Sequence, residues 1–342
     1  MKGIKMRQLA SIQKVVSIDP IPDADAIERC GILGWGSVIK KEQNIKVDDL
    51  VVFIEVDSVL DFTRPLFALM EKNNGRVKTV KLKKTLSQGL VFKISDFPEL
   101  SVDLTEGTDV TGLLKITKYD PPEFGFGGTK CNARGNFPVD VIKTDETRIQ
   151  SIPAIIEELK DIPCYVSVKM DGSSFTAANI AGDVHVCSRN QSAKDEEGNK
   201  FWAMAKKYNI PDQLLAETTK YAIQGELCGP GVQDNRLGLK ENDLFVFNVF
   251  NIDDRKYLGF DEFIAFCAKF GLKTVPIEHT EFLLNDHTVD SLLKLAEGTY
   301  PGTQHPREGI VIRPKIEQHS HRLHGRASFK AINNEFLLKI KA

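Results

Sequence analysis

The stretch that most constrains this chain runs from residue 164 to residue 177, Cys-Tyr-Val-Ser-Val-Lys-Met-Asp-Gly-Ser-Ser-Phe-Thr-Ala. Its first residues favour a β-strand, and the Asp171-Gly172 pair is typical of a tight turn between two extended runs. The pattern predicts a hairpin with Lys169 at the end of its first strand and a carboxylate two residues further on. A lysine at the end of a strand and next to a rigid turn is held in one geometry. The alternative is an ordinary hairpin that carries a surface lysine.

Four more segments follow Lys169 in order, namely Gly225-Glu226-Leu227, the apolar run 245–250, Arg307-Glu308-Gly309 and Ser328-Phe329-Lys330. The series resembles motifs I, III, IIIa, IV and V of the covalent nucleotidyltransferases, the superfamily of ATP-dependent ligases and capping enzymes. Lys-x-Asp-Gly alone recurs by chance, whereas five ordered matches form a specific signal.

Composition sets the broad class of the protein. The 342 residues suffice for two domains, and 42% apolar with 27% charged residues is typical of a soluble globular protein. No apolar run reaches membrane-spanning length and no signal-peptide core is present, so no membrane partner is expected. Six cysteines without a Cys-x-x-Cys pair predict reduced, mostly buried thiols in an intracellular reducing compartment, cytoplasm or nucleus. The net charge of −2 means that any nucleic-acid binding must come from local basic patches.

Residues 1–115 have an all-β pattern. Short apolar runs over 9–18, 32–39 and 51–56 are separated by turn residues, which predicts a small barrel. The segments 20–25 and 48–58 resemble those of the oligonucleotide/oligosaccharide-binding (OB) barrel that precedes the catalytic domain in one clade of RNA ligases.

The densest basic stretch lies within this predicted barrel, and its members alternate as they would along a strand. If they form a strand, Arg76 and Lys78 share a face. One interpretation is a groove that follows the phosphates of a nucleic acid; the other is a solvated edge strand whose lysines block aggregation. The predicted nucleic-acid-binding residues are Arg76, Lys78, Lys81 and Lys83.

Residues 116–145 are predicted to form a packed connector, because its prolines and glycines preclude regular structure while its aromatic residues favour packing. Residues 146–342 are predicted to form the second domain. The expected fold class is α+β, an OB-type barrel followed by a nucleotidyltransferase (ATP-grasp-like ligase) domain of antiparallel sheets flanked by helices. Helical patterns occupy 201–209, 213–221, 260–270 and 287–296.

A protonated lysine amine is a poor nucleophile, so its pKa must fall through desolvation or nearby positive charge. The resemblance implies that Lys169 attacks the α-phosphate of ATP and expels pyrophosphate. AMP then passes to a 5′-phosphate, and a neighbouring 3′-hydroxyl completes the junction. The implied cofactors are ATP and Mg²⁺ or Mn²⁺.

The resemblance also assigns roles to residues around Lys169. Carboxylate oxygens suit hard divalent cations, and the predicted metal residues are Asp171, Glu226 and Glu308. The predicted nucleotide-binding residues are Arg148, Val168, Arg189, Glu226, Phe247, Glu308 and Lys330. Taken singly, each has an ordinary structural alternative: a strand-end carboxylate, a core aromatic or a helix-surface arginine.

The chain departs from the superfamily pattern in its last motif, which usually has two lysines separated by one residue. Ser328 stands at the first of those positions, and Arg326 is a candidate substitute. A nearby cluster, His319, His321 and His324, lacks zinc-site spacing and is interpreted as a solvated basic loop.

Only twelve residues follow Lys330, whereas DNA ligases and capping enzymes carry a further barrel there. The order of domains therefore resembles the nick-sealing RNA ligases with an N-terminal OB domain. This implies a partner that is RNA or an RNA/DNA duplex with a nick, bound by a monomer. Two alternatives stay open: a nucleic-acid-binding protein with an inactive ligase domain, and a capping-type guanylyltransferase. The full set of motif residues argues against the first, and the expected lack of a C-terminal barrel against the second.

Overall fold

The computed structural model describes residues 7–101, 103–120 and 132–339. The chain divides into two compact units. Unit 1 comprises Met1–Pro121, Ile149–Pro153 and Leu337–Ala342, and unit 2 comprises Pro122–Arg148 and Ala154–Phe336. The centre of the predicted connector, residues 121–131, lies outside the described residues.

Unit 1 is built on strands. They are β1 (Ala10–Pro20), β2 (Ile27–Ile32), β3 (Trp35–Lys40), β4 (Leu50–Ile54), β5 (Ser58–Val59), β6 (Val80–Leu82), β7 (Thr85–Ser87), β8 (Leu90–Lys93) and β9 (Thr117–Lys118). Short 3₁₀ helices occupy Lys41–Gln43, Pro65–Asn73, Ile94–Asp96 and Ile149–Ser151. Five strands form an antiparallel sheet in the order β3-β2-β1-β4-β8, beside the two-stranded pairs β5-β9 and β6-β7.

The central strand β1 bends because a bulge between Val15 and Ser17 shifts its register. Its first half pairs with β4 and its second half with β2. Apolar side chains cover both faces of the sheet: Val52 and Ile54 pack into one core cluster, while Val51 and Phe53 pack into another. This two-sided burial explains why β4 is a continuous apolar run instead of an alternating one.

Unit 2 combines sheets and helices. Its strands are β10 (Ala133–Asn136), β11 (Thr147–Arg148), β12 (Cys164–Lys169), β13 (Ser173–Ile180), β14 (Asp183–Cys187), β15 (Gln191–Ala193), β16 (Tyr221–Cys228), β17 (Asp243–Asn251), β18 (Lys256–Tyr257), β19 (Ile277–Phe282), β20 (Gly309–Pro314), β21 (His319–Ser320), β22 (Gly325–Arg326) and β23 (Phe329–Ile332). The helices are α1 (Ile155–Glu158), α2 (Lys200–Lys207), α3 (Ile210–Ala216), α4 (Phe260–Lys269), α5 (Val289–Leu295) and α6 (Asn334–Lys339). The predicted α+β class is confirmed.

Two sheets organise unit 2. A seven-stranded sheet has the order β10-β15-β14-β13-β16-β17-β18, and a five-stranded sheet has the order β11-β23-β20-β12-β19. Helices α2, α3 and α4 pack on one face of the seven-stranded sheet through residues such as Phe201, Leu214 and Phe263. The strands β12 and β16 therefore carry motif residues in different sheets of the same unit.

One helix prediction is wrong in its bounds. The pattern over 213–221 predicted a helix, but α3 spans Ile210–Ala216 and Tyr221 opens β16. Pro211 lies in the first turn of α3, where its missing N–H costs no helical hydrogen bond.

Within residues 7–101, 103–120 and 132–339 the structure describes five cysteines, and each is a buried free thiol: Cys30, Cys164, Cys187, Cys228 and Cys267. Within the part of the chain that the structure describes, no helix combines the length and apolarity needed to cross a membrane.

Candidate active site

Lys169 is the last residue of β12, as the sequence predicts, but the predicted hairpin is wrong. Strand β12 pairs with β19 and β20, whereas β13 pairs with β14 and β16, so the turn passes from one sheet to the other. Gly172 is required here by close approach, because a Cβ at this position would lie 2.3 Å from the carbonyl oxygen of Leu227. The turn holds Lys169 close to the end of β16.

The ammonium of Lys169 lies among carboxylates. Its Nζ is 2.8 Å from Oε2 of Glu308, and the two side chains are 24% and 19% exposed. Burial lowers the pKa of Lys169, but the charges of Glu308 and Glu226 outweigh burial and hold this pKa above its usual value. In this state the lysine is a protonated partner of the acidic side chains.

The other two carboxyl groups show how crowded the negative charge is. Burial, together with the charges of Glu308 and Asp171, raises the pKa of Glu226 to about 8 despite the opposing effect of Lys169. Burial and Glu308 raise the pKa of Asp171 to about 6, although Arg236 Nη1 lies 3.3 Å from its Oδ2. The structure therefore brings together all three carboxylates that the sequence predicted as metal residues.

This donor set fits a hydrated divalent cation. Three carboxylates outnumber Lys169, and a hard cation with oxygen ligands would offset the excess negative charge. Across residues 7–101, 103–120 and 132–339, no three His, Cys, Asp or Glu side chains already form a group that could hold a metal ion directly. A cation that keeps several of its waters needs fewer direct protein ligands.

Glu308 is held through its backbone. The hydroxyl of Tyr300 donates to the carbonyl of Lys169 at 3.1 Å and accepts the N–H of Glu308 at 3.2 Å. The next residue, Gly309, has φ +151°, and a Cβ there would lie 2.1 Å from the carbonyl oxygen of Ala331. Sequence analysis missed Tyr300, and no motif marks it.

A second group of charges surrounds Lys330 on β23. Arg148 on β11 pairs in register with Lys330. Burial, with the neighbouring charges of Lys169 and Arg148, lowers the pKa of Lys330 to about 8 although Asp145 opposes this shift. Asp145 lies 3.7 Å from Lys330 Nζ and 3.4 Å from Arg189 Nη2. The predicted phosphate-binding side chains therefore lie close together. Lys330 lies beside Lys169 and Arg148, and both Lys330 and Arg189 approach Asp145.

An apolar cluster adjoins these charges. Val168 and Tyr300 are buried in it, and Phe247 is half-buried against it. Phe247 is the extra residue of a bulge on β17, because Gln224 pairs with Asn248 while Gly225 pairs with Val246. A bulge re-aims a side chain relative to the regular alternation of a strand. The predicted stacking residue thus lies on the site side of the sheet, with an apolar surface suited to a flat base.

Ser328 and Arg326, at the last motif, take part in contacts within unit 2. Ser328 accepts a hydrogen bond from Arg313 Nε at 2.9 Å. Arg326, the candidate substitute for the missing lysine, binds Glu317, donates to Asn248 at 2.7 Å and lies 3.9 Å from the ring centroid of Tyr257. Both side chains therefore have partners other than Lys169.

The histidine cluster forms an exposed turn between β21 and β22, with the rings of His319 and His321 5.8 Å apart. Glu158 stabilises this turn by accepting hydrogen bonds from Ser320 Oγ at 2.8 Å and from the His321 N–H at 2.6 Å.

The basic stretch of unit 1 differs from its prediction. The strand of this stretch, β6, begins at Val80, after Arg76 and Lys78. The guanidinium of Arg76 lies 2.8 Å from Asp57 and 3.7 Å from the ring centroid of Tyr119. Lys78 is half-buried and outside a strand, so Arg76 and Lys78 do not share a strand face. Lys81 and Lys83 are exposed on the β6-β7 hairpin.

Both units of the chain are similar to known protein families. The model of a family described as RNA ligase matches residues 162–332, and an OB-fold domain model matches residues 9–94, which confirms the predicted OB-type fold of unit 1. Naegleria gruberi RNA ligase with PPi is 33% identical, covers 97% of this chain and 98% of its own, and has a TM-score of 0.86.

A lysine-to-alanine variant of the Naegleria gruberi enzyme with ATP and Mn is 33% identical over 96% of this chain and 98% of its own, with a TM-score of 0.86. A glutamate-to-alanine variant with AMP and Mn is 34% identical over 97% and 98%, again with a TM-score of 0.86. No curated protein sequence matches the chain.

Proposed function

This chain belongs to the RNA ligase family, and on that premise we propose that it seals nicks in RNA or RNA-containing duplexes with Lys169 as the residue that carries AMP. It is an ATP-dependent RNA ligase that works through a covalent enzyme–AMP intermediate. The observation that carries the assignment to Lys169 is its position: it ends a strand, contacts Glu308 at 2.8 Å and lies beside Lys330.

The first step joins Lys169 to AMP. The unprotonated Nζ attacks the α-phosphorus of ATP in line with the leaving group, so a P–N bond forms and the P–O bond to pyrophosphate breaks. The amine loses its protons to solvent, and pyrophosphate departs with the electron pair of the broken bond. The positive charge of Lys330 opposes that of Lys169, and it favours the neutral amine once the carboxylates around Lys169 are neutralised.

The second and third steps build the junction. An oxygen of the RNA 5′-phosphate attacks the phosphorus of the lysyl-AMP, which breaks the P–N bond and returns the amine of Lys169. The 3′-hydroxyl of the neighbouring strand then attacks the 5′-phosphorus, loses its proton and displaces AMP. Splitting the ligation in this way replaces one difficult step by easier ones, each an in-line phosphoryl transfer.

We assign the nucleotide to the part of unit 2 that surrounds Lys169. Val168 and Phe247 supply the apolar surface for adenine, and this assignment is supported by the bulge that re-aims Phe247. Arg148, Arg189 and Lys330 are assigned to the phosphates or the ribose. Their grouping around Lys169 and Asp145 supports this role, since Asp145 already pairs two of them with a negative charge.

Asp171, Glu226 and Glu308 are the residues that we propose hold Mg²⁺ or Mn²⁺, and the Naegleria gruberi enzyme was solved with ATP and Mn. When bound, a divalent cation neutralises the carboxylates that keep Lys169 protonated and offsets charge on the phosphates. Arg236 keeps Asp171 oriented, because its guanidinium also binds Asp234 at 2.8 Å and lies 4.6 Å from the ring centroid of Phe336.

Unit 1 is proposed to hold the nucleic acid. Lys81 and Lys83 are exposed and able to contact phosphates, whereas Arg76 is neutralised by Asp57 and is retained only as a weaker contact with Lys78. We keep 1–115, 116–145 and 146–342 as the working domain boundaries and a monomer as the active form. A reducing compartment is proposed on the support of five buried free thiols.

Covalent labelling tests the proposal. The protein is incubated with Mg²⁺ or Mn²⁺ and with either α-labelled ATP or α-labelled GTP, then denatured. We expect label from ATP on the wild-type chain and on a Lys160→Ala control, and none on Lys169→Ala. Labelled protein is then given a nicked duplex with RNA at the 3′-hydroxyl side, and sealing with loss of label is expected.

Other outcomes point elsewhere. Label on Lys169→Ala would place the nucleophile at another residue. Label from GTP alone would favour the capping-type alternative, and no label from either nucleotide would favour a binding protein with an inactive site. Label without sealing of any nick would remove the substrate assignment and leave the nucleotide chemistry standing.

A further inference from the structure

We propose that Tyr300 is a positioning residue for the first step of ligation, in which it holds the backbone of Lys169 and the backbone of Glu308 at a fixed separation. This inference rests on the proposed role of Lys169. Tyr300 is only 2% exposed, and its hydroxyl contacts both residues, at 3.1 Å from the Lys169 carbonyl oxygen and 3.2 Å from the Glu308 nitrogen.

The contact lies where two paired strands separate. Lys169 on β12 and Gly309 on β20 are the last residues in register, and the chain on either side then leaves the sheet. Glu308 and the turn after Lys169 therefore lie beyond the pairing of β12 with β20. The Tyr300 hydroxyl bridges one backbone group from each strand at this point, and so joins them where the sheet no longer does.

The remainder of the Glu308 backbone is also tied down. Its carbonyl accepts the N–H of Asn333 at 2.9 Å. Asn333 Nδ2 in turn donates to the carbonyl of Arg307 at 3.0 Å, and Arg307 Nε donates to the carbonyl of Ala296 at 3.2 Å. Glu308 is thus held on its N–H side by Tyr300 and on its carbonyl side by Asn333, while its carboxylate binds Lys169.

The hydroxyl can serve both partners because it remains neutral. A phenol donates one hydrogen bond and accepts another at the same time, whereas a phenolate only accepts. Burial, and next the charge of Glu308, raise the pKa of Tyr300 above its usual value, so the phenol keeps its proton across the working range of an enzyme.

Loss of this bridge should affect the lysine specifically. With phenylalanine at position 300, the ring still fills its place, but a buried carbonyl and a buried N–H each lose a partner. The two backbones are then free to separate, and the 2.8 Å contact between Lys169 Nζ and Glu308 weakens. The amine of Lys169 is then no longer held at one position relative to Glu308.

The test compares Tyr300→Phe with Tyr208→Phe. The control removes a hydroxyl that donates to Asp243, and Lys273 still binds that carboxylate at 2.6 Å. Lysyl-AMP formation is followed with labelled ATP, and sealing of a pre-adenylylated nick is measured on the same preparations. The melting temperature of each variant is recorded.

For Tyr300→Phe we expect lysyl-AMP formation to be roughly tenfold to a hundredfold slower, since small displacements of reacting groups have effects of that order. Sealing of the pre-adenylylated nick, which does not use the Lys169 amine as nucleophile, should change by less than about threefold. Tyr208→Phe should leave both rates unchanged.

Other results would overturn the positioning role of Tyr300. If Tyr300→Phe forms lysyl-AMP at the wild-type rate, the positioning role is wrong. If both reactions fall in proportion, or the variant does not fold, Tyr300 is a structural residue only and the inference fails. If the wild-type protein itself takes up no label, the proposed function fails before Tyr300 is tested.

Discussion

At the scale of single residues, the positive charge of Lys169 partly compensates the negative charge of the carboxylates around it in the nucleotide-free protein. Lys169 contacts Glu308 at 2.8 Å, and burial together with the neighbouring carboxylates raises the pKa values of Glu226 and Asp171 although this ammonium opposes the shift. The clustered negative charge that favours binding of a divalent cation therefore destabilises the cation-free protein at high pH, where these carboxyl groups are ionised.

This destabilisation predicts that Glu226→Gln stabilises the free protein at alkaline pH. The folded pKa of Glu226, about 8, exceeds its unfolded value of 4.5, so the folded state binds more protons between those values and stability falls as pH rises through that window. Urea unfolding should show the variant more stable than wild type by roughly 1 kcal/mol or more above about pH 8, with a smaller difference near pH 5.

The matched control for this prediction is Glu157→Gln, whose side chain is 82% exposed. It should follow the wild-type dependence of stability on pH. The Glu226→Gln protein should also lose most of its lysyl-AMP formation, because stability gained at a crowded active site is usually paired with lost activity. If Glu226→Gln showed the same dependence of stability on pH as wild type, the raised pKa of Glu226 would not be the cause of the lost stability at high pH.

At the scale of elements, the site is made by strand ends that belong to different sheets. Strand β12 delivers Lys169 from the five-stranded sheet, while β16 delivers Glu226 from the seven-stranded sheet. The Asp171-Gly172 turn is the covalent link between them, and the bulge at Phe247 gives the apolar wall its direction. A turn motif read from sequence cannot distinguish this crossing from a hairpin, since both need two strands and a glycine.

The crossing predicts a strong effect of Gly172→Ala. A Cβ at this position would lie 2.3 Å from the Leu227 carbonyl oxygen, a backbone atom that cannot rotate away. The turn must then withdraw from β16, and we expect a loss of roughly 1–3 kcal/mol in the free energy of unfolding. Lysyl-AMP formation should fall as well, because Lys169 and Glu226 lose their spacing.

Gly135→Ala is the control for that substitution, because nothing lies within 4 Å of a Cβ at position 135. Chemical denaturation and labelling with ATP are measured on both variants. Wild-type stability in Gly172→Ala would show that the turn has room to move, and would remove the packing argument for this glycine.

At the scale of the whole molecule, the chain divides its tasks between two compact units. The residues assigned to nucleotide chemistry all lie in unit 2, and the exposed lysines of the β6-β7 hairpin lie in unit 1. Net charge is only −2, so binding of RNA depends on such local groups and not on the field of the whole protein.

The division predicts that a double substitution, Lys81→Ala with Lys83→Ala, weakens RNA binding without slowing lysyl-AMP formation. Each lysine that contacts a phosphate contributes about one unit to the slope of log affinity against log salt concentration, so the slope should decrease by about two. Fluorescence anisotropy with a nicked duplex at several salt concentrations measures it.

The control is Lys220→Ala with Lys256→Ala, two exposed lysines of unit 2 that each pair with an aspartate. Their removal should leave the salt dependence as in wild type. An unchanged slope in the Lys81/Lys83 variant would assign these lysines to solvation of the hairpin, the alternative that the sequence left open.

The sequence by itself determined the family, the α+β class and the candidate residues of the motifs. It could do so because covalent nucleotidyl transfer requires a lysine, carboxylates and cations in a particular order along the chain. The tertiary structure alone decided which strands share a sheet and that Arg76 is bound to Asp57. It alone also brought Tyr300 to Lys169 and Glu308. These outcomes depend on contacts between residues far apart in the chain, and local pattern carries no record of such contacts.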